Sequence, residues 1–126
     1  MNQLQLFQEI SATYRRHGWR LARVLMRDET LAQLHAAAKG TDASLFESVA
    51  VRVWEVDALW FARASHEGRE AWELRHVADA PFALFELFEA DEEEEDREDV
   101  RREMEALLIE RTNNEGERGK GRANAL

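Results

Sequence analysis

The chain has 126 residues, of which 44% are hydrophobic, and it carries a formal net charge of -9 without any cysteine. This length is enough to bury one modest core, and the lack of cysteine excludes a disulfide framework, a thiolate metal site and a cysteine nucleophile. The first residues lack the pattern of a secretion signal, and no apolar run is long enough to span a bilayer. We therefore predict a cytoplasmic protein that does not bind membranes.

The acidity is concentrated in one segment. Residues 91–112 hold 11 acidic and 4 basic residues, a net charge of -7, whereas residues 1–90 hold 13 acidic and 10 basic residues, a net charge of -3. A chain with this balance is repelled by a phosphate backbone. We therefore predict no nucleic-acid binding and favour a basic protein partner.

The first third of the chain predicts a helix, a strand and a second, short helix. Residues 2–17 carry apolar side chains at three- and four-residue spacing, namely Leu4, Phe7, Ile10 and Tyr14. Gly18 suits the position that follows a last helical turn. Residues 19–27 are typical of a strand, and Asp28 is a suitable N-cap for a helix that ends near Lys39.

Residues 48–65 are open to two interpretations. Residues 41–47 are predicted to form a loop, and residues 48–56 alternate valine with other residues, as strands do. Asp57 alone resembles a turn residue before the next apolar run. Residues 48–65 therefore form either one long strand with a bulge or two strands that are joined tightly.

Residues 58–89 predict an antiparallel meander. Three apolar runs are separated by two short segments that contain Gly68 and Pro81, and connections this short cannot make a parallel crossover. Because side chains alternate along a strand, the large aromatic residues fall on both faces of the sheet. One alternation carries Phe61 and Phe85, and the other carries Trp60, Phe82 and Phe88.

The last third predicts one amphipathic helix and a tail. Residues 91–99 contain eight acidic residues and one arginine, and acidic residues stabilise the first turn of a helix. Apolar residues then recur at helical spacing, namely Val100, Met104, Leu107 and Leu108. Residues 113–126 contain three glycines and few large apolar residues, so we predict a disordered tail.

These elements predict an α+β fold. We expect an antiparallel meander of four to five strands, with the N- and C-terminal amphipathic helices packed on one face as a two-layer sandwich. Residues 1–112 would form a single domain, followed by the disordered tail 113–126.

No catalytic, metal-binding or cofactor motif is evident. His66 begins the sequence HEGRE, but the helical zinc motif requires a second histidine where Glu70 stands, and Gly68 indicates a turn. The four histidines share no ligand spacing, and the chain contains no glycine-rich phosphate loop. We therefore predict no catalytic residue, no metal and no cofactor, so an enzyme is the less favoured class.

The aromatic residues of the meander are the predicted binding residues, namely Trp60, Phe61, Trp72, Phe82, Phe85 and Phe88. One layer of helices covers one face of a sheet, so the other face requires the short helix, a second subunit or a partner. The predicted function is a non-enzymatic, acidic protein-binding module that is chaperone-, adaptor- or inhibitor-like and forms a homodimer. Its profile is similar in physical character to that of small acidic secretion chaperones and toxin-neutralising immunity proteins.

The alternative prediction is a small-molecule-binding protein or enzyme. Its pocket would lie between sheet and helices and would be lined by Trp60, Trp72, Phe82 and Phe88. Polar groups would come from Glu73, Glu86 or His76. A closed core would favour the protein-binding module, and a deep pocket with converging polar groups would favour this alternative.

Overall fold

The computed structural model describes residues 2–37 and 49–125 and divides the chain into two units, residues 1–91 and residues 92–126. The described elements of the first unit are α1 (Gln3–Arg16), β1 (Arg20–Met26), α2 (Asp28–Ala37), β2 (Ala50–Val53), β3 (Ala58–Ala64), β4 (Glu70–His76) and β5 (Ala83–Phe88). The second unit contains α3 (Glu94–Ala125). The predicted α+β class is confirmed, and the predicted loop over 41–47 lies outside the described residues.

The five strands form one mixed sheet in the order β2-β1-β3-β4-β5. The meander is correct for β3, β4 and β5, which pair antiparallel with one another, as β1 does with β3. A purely antiparallel sheet is wrong, because β1 pairs with β2 in parallel. The reason is the long connection between these two strands: it contains α2, and such a crossover returns the chain in the same direction.

Residues 48–65 contain two strands rather than one, and β1 lies between them in the sheet. The short connection over 54–57 therefore passes the end of β1. The Trp54 amide donates to the Met26 carbonyl at 2.7 Å, and the Val77 amide donates to the Asp57 carbonyl at 2.9 Å. These hydrogen bonds hold the connection to β1 on one side and to the end of β4 on the other.

The Asp57 side chain is the polar centre of this crossing. It is only 2% exposed, and its carboxylate accepts the Arg27 amide, the Thr30 hydroxyl and the Gln3 side-chain amide, each at 2.8 Å. The donors come from the start of α1 and from the junction of β1 with α2. A buried carboxylate is tolerated when its lone pairs are satisfied in this way.

Helix α1 packs against one side of the sheet and forms a hydrophobic core with it. Asn2 caps the helix, because its side chain accepts the Gln5 amide while the Gln5 side chain accepts the Asn2 amide, and Gly18 follows at φ +86°. The predicted apolar stripe is confirmed at Phe7 and Ile10, which are buried. Their buried neighbours in this core are Val24, Met26, Leu59, Phe61 and Val77.

Helix α3 begins at Glu94, within the acidic run, and continues to Ala125. Leu107 is 53% exposed, so the predicted buried stripe is wrong at that position. The single domain over residues 1–112 and the disordered tail over residues 113–126 stay predictions. None of the described helices has an apolar stretch long enough to cross a membrane.

Candidate protein-binding surface

Helix α1 leaves part of its face of the sheet open. Its main strand contacts are with β1 and β3. The same face continues onto β4 and β5, because Phe61 of β3 stands opposite Glu73, which in turn stands opposite Phe85. We use the term open face for the residues on and beside this part of the sheet, namely Tyr14, Trp19, Glu73, Arg75 and Phe85.

Tyr14 forms the border between α1 and the open face. Its ring stacks on buried Phe61 with centroids 4.0 Å apart and planes within 7°. Its hydroxyl donates to the Glu73 carboxylate. Burial, together with this hydrogen bond, holds the pKa of the Tyr14 phenol above its ordinary value. The phenol therefore remains a proton donor at physiological pH and holds Glu73 in place.

Two shallow clefts adjoin Tyr14. The larger has a volume of about 350 Å³ and is lined by Leu6, Glu9, Ile10, Thr13, Tyr14, Arg75, Ala78 and Asp79. The smaller has a volume of about 260 Å³ and is lined by Thr13, Tyr14, His17 and Trp19. Both clefts are open to solvent, so they are grooves along α1 rather than enclosed pockets.

The open face also carries two aromatic rings that contact one another, those of Trp19 and Phe85. The Trp19 ring meets the Phe85 ring edge to face, with centroids 6.5 Å apart. The Arg63 guanidinium lies 5.4 Å from the Trp19 ring centroid and donates to the His17 carbonyl at 3.1 Å. Trp19 is thus held in position, whereas 56% of Phe85 is exposed. Phe85 and Trp19 thus place a partly exposed pair of aromatic rings on the open face.

Strand β5 is an edge strand in the described part of the chain, where no other strand pairs with its outer side. In an antiparallel pair, residues that bond to the partner alternate with residues whose backbone groups point away. The His76 amide donates to the Phe82 carbonyl at 3.0 Å, which sets this alternation along the β4–β5 register. The residues whose N–H and C=O groups point outward are therefore Ala83, Phe85 and Leu87.

The six predicted binding residues are not equally accessible. Four are buried, namely Trp60, Phe61, Trp72 and Phe88. Phe82 is partly buried, and Phe85 is the one of the six that is mostly exposed. Trp60 and Trp72 meet edge to face with centroids 5.9 Å apart, and neither lines the clefts beside Tyr14.

Sequence reasoning placed Glu73 among candidate polar groups but missed Tyr14, Trp19 and Arg75 as surface residues. Tyr14 was assigned to the apolar stripe of α1, and its ring does pack there while its hydroxyl reaches the sheet. An available signal was the pair Gly18-Trp19: a bulky ring directly after a helix end lies beside that helix. Nothing in the sequence marked Arg75 as a surface residue except that it lies two positions after Glu73, which places both residues on one face of a strand.

The histidine at the β3–β4 turn is part of a plain turn, as the sequence predicted. Residues His66–Gly68 form one turn of 3-10 helix, with Glu67 at φ +59° and Gly68 at φ +76°. Over residues 2–37 and 49–114, no group of three or more histidine or acidic side chains is placed to hold a metal ion.

Comparison of the chain with protein-family models, with curated proteins and with solved structures finds no match. The open face and the edge of β5 therefore have to be interpreted from their own chemistry.

Proposed function

We propose that this protein is a non-enzymatic, acidic protein-binding module, of a chaperone-, adaptor- or inhibitor-like kind, and that it binds its partner through the open face. The observation that carries this proposal is the 56% exposure of Phe85 on an edge strand, beside the ring of Trp19. Exposed aromatic residues are the usual anchors of protein interfaces. The net charge of -9 favours a basic partner, and the proposed location is the cytoplasm.

The polar groups of the open face suit a rigid binding surface. The Tyr14 hydroxyl donates to the Glu73 carboxylate, and the Tyr14 ring is fixed on Phe61. The Glu73 carboxylate has further lone pairs that can accept hydrogen bonds from a partner. In a binding surface the same pair provides a rigid, polar border next to an apolar anchor.

A small-molecule ligand is the second candidate, and the cleft of about 350 Å³ beside Tyr14 favours it. That volume falls within the range of ligand sites. Fragment screening by nuclear magnetic resonance separates the two candidates. Fragments that shift the Thr13 and Ala78 signals while leaving Phe85 unchanged would favour the ligand site over the protein interface.

The experiment compares partner capture by the wild-type protein with capture by Phe85→Asp and Leu107→Asp. Leu107 is a matched control, because it is a large apolar residue that is 53% exposed and lies on α3, outside both proposed interfaces. We expect the wild type and Leu107→Asp to retain the same partner and Phe85→Asp to lose it. Circular dichroism verifies that all three chains are folded. Equal capture by all three would overturn the open face as the binding surface.

The homodimer is a separate proposal, and it rests on the exposed valines of β2 alone. Trp60 and Trp72 are buried within one chain, so the apolar sheet face expected to pair is not accessible at these rings. Strand β2 exposes Val51 and Val53, and we propose that two copies associate through this strand. Val53→Asp would then dissociate the dimer while leaving partner binding intact, and Phe85→Asp would do the reverse.

A further inference from the structure

We propose that the partner presents an extended strand that adds to the outer edge of β5, with an apolar middle and basic residues at both ends. This inference rests on the proposed function and specifies how the open face is used. Ala83, Phe85 and Leu87 direct their backbone N–H and C=O groups away from β4, which provides a row of donors and acceptors for an incoming backbone. Such strand addition is a recurrent way to bind an extended peptide.

Within β5 itself the outer edge lacks lysine, proline and a bulge, which are features that normally prevent such pairing. Natural edge strands are protected by lysine, proline, bulges or cover from another element. Strand β5 has the sequence ALFELF, with Glu86 as its one charged residue, and its register against β4 is continuous over all six residues. An edge of this kind is either occupied by a partner or prone to aggregation.

The side chains beside this edge define the middle of the partner strand. Phe85 projects onto the open face, where its ring contacts the Trp19 ring. A residue opposite Phe85 in a paired strand would project onto the same face, next to both rings. An aromatic or β-branched residue would bury the exposed part of Phe85 at that position.

The charges that flank β5 define the ends of the partner strand. Asp79 lies shortly before β5, Glu89 and Asp91 lie shortly after it, and all three are exposed. Glu89 already accepts the Arg69 guanidinium at 2.8 Å, so the complementarity depends mainly on Asp79 and Asp91. Because an exposed aspartate flanks each end of β5, lysine or arginine at both ends of the partner strand fits either strand direction.

The same charges disfavour a second copy of this chain as the occupant. Antiparallel pairing of two β5 strands about a twofold axis at Phe85 would bring the segment that carries Asp79 of one copy toward the segment that carries Asp91 of the other. Like charges that are brought close together repel one another. This is why the homodimer is assigned to β2 and the heterologous partner to β5.

The test uses synthetic peptides of about ten residues, whose middle six span β5. The first has alternating valine and threonine flanked by two lysines at each end, and the second replaces the lysines by glutamates. A third carries N-methyl groups on alternate backbone nitrogens, so that its bonding edge is blocked. We expect the lysine peptide to shift the amide signals of Ala83, Phe85 and Leu87. The other two should bind at least about tenfold more weakly, because they lose charge pairing or several hydrogen bonds.

Two variants of the protein complete the test. Ala83→Pro removes one outward N–H at the first, exposed residue of the strand, where proline is tolerated, and Ala83→Ser retains it. We expect Ala83→Pro to weaken binding of the lysine peptide and Ala83→Ser to leave it unchanged. No shift with the lysine peptide, or equal binding of the N-methylated peptide, would overturn strand addition. Loss of partner capture by Phe85→Asp would still support the proposed function in that case, so the two failures are distinguishable.

Discussion

Asp57 shows how one side chain holds three segments together. Its carboxylate binds the side chain of Gln3, the backbone of Arg27 and the hydroxyl of Thr30, so it connects the start of α1, the β1–α2 junction and the β2–β3 connection. None of these donors could be satisfied by a hydrocarbon side chain at position 57. The cost of losing the carboxylate is therefore the cost of leaving several buried donors unpaired.

We expect Asp57→Ala to lower the free energy of unfolding by about 3 kcal/mol, because removing one partner of a buried charged network has a cost of this size. Glu55→Ala is the matched control, because Glu55 lies in the same connection and is exposed. Its effect should stay within about 0.5 kcal/mol. Urea denaturation of the two variants measures the difference. Similar values for both would contradict the role assigned to Asp57.

Tyr14 gives a prediction in the alkaline range. Burial and the hydrogen bond to Glu73 raise the pKa of Tyr14 above the value of about 10 expected in the unfolded chain. The stabilisation is therefore complete below pH 10 and is lost as pH rises from about 10 toward the higher pKa of the folded protein. Because Tyr14 is the single tyrosine of the chain, ultraviolet absorbance of tyrosinate reports its titration directly.

The Glu73→Gln variant tests the cause of this shift. Removing the carboxylate charge should move the pKa of Tyr14 back toward its ordinary value, whereas Glu86→Gln should leave it unchanged. A folded wild-type protein whose tyrosine titrates near pH 10 would contradict the geometry described for Tyr14 and Glu73.

At the scale of elements, Gly18 and Gly68 differ in how much space each leaves for a side chain. Gly18 follows α1 at φ +86°, and an added Cβ there meets no atom within 4 Å. Gly68 closes the β3–β4 turn at φ +76°, and an added Cβ there would lie 3.1 Å from the Ala90 Cβ. Both positions strain an alanine backbone, but a steric contact is added only at Gly68.

We therefore expect Gly18→Ala to cost about 1 kcal/mol and Gly68→Ala to cost more. Thermal denaturation of the two variants, beside the wild type, measures the order. If Gly18→Ala proved the more destabilising of the two, this would contradict the close position of Ala90 beside Gly68.

The elements that were predicted correctly are those whose signals are local. The stripe of α1, its end at Gly18 and the hairpins of β3, β4 and β5 depend on residues a few positions apart. The parallel pairing of β1 with β2 depends on a connection that passes through α2, and no local pattern specifies where such a connection ends. The three donors to the Asp57 carboxylate, from Gln3, Arg27 and Thr30, are likewise distant from it in sequence.

The candidate surface was only partly predictable for the same reason. The alternation correctly placed Phe61 and Phe85 on one face of the sheet. Phe61 is 1% exposed and stacks on Tyr14 of α1, whereas Phe85 is 56% exposed, and the position of α1 across the sheet is a tertiary property. An aromatic pattern therefore identified the face but not the residue on it that stays accessible.

At the scale of the whole molecule, net charge and apolar contacts make opposite contributions to self-association. Two chains with a net charge of -9 repel one another, and added salt screens this repulsion. We expect a homodimer held by apolar contacts of β2 to persist or tighten as salt is raised. Light scattering at micromolar protein concentration checks this. A monomer mass at every salt concentration, or dissociation on adding salt, would contradict the proposed dimer.

The mixed sheet also has a consequence for synthesis of the chain on the ribosome. The core side chains of α1 pack with residues of β1 and β3 and with Val77, so the apolar face of this helix has no complete partner until residue 77 has left the exit tunnel. Strands β4 and β5 each pair with the strand made just before it. The nascent chain thus carries an unburied amphipathic helix until these later residues have been made, and it completes its sheet only with β5.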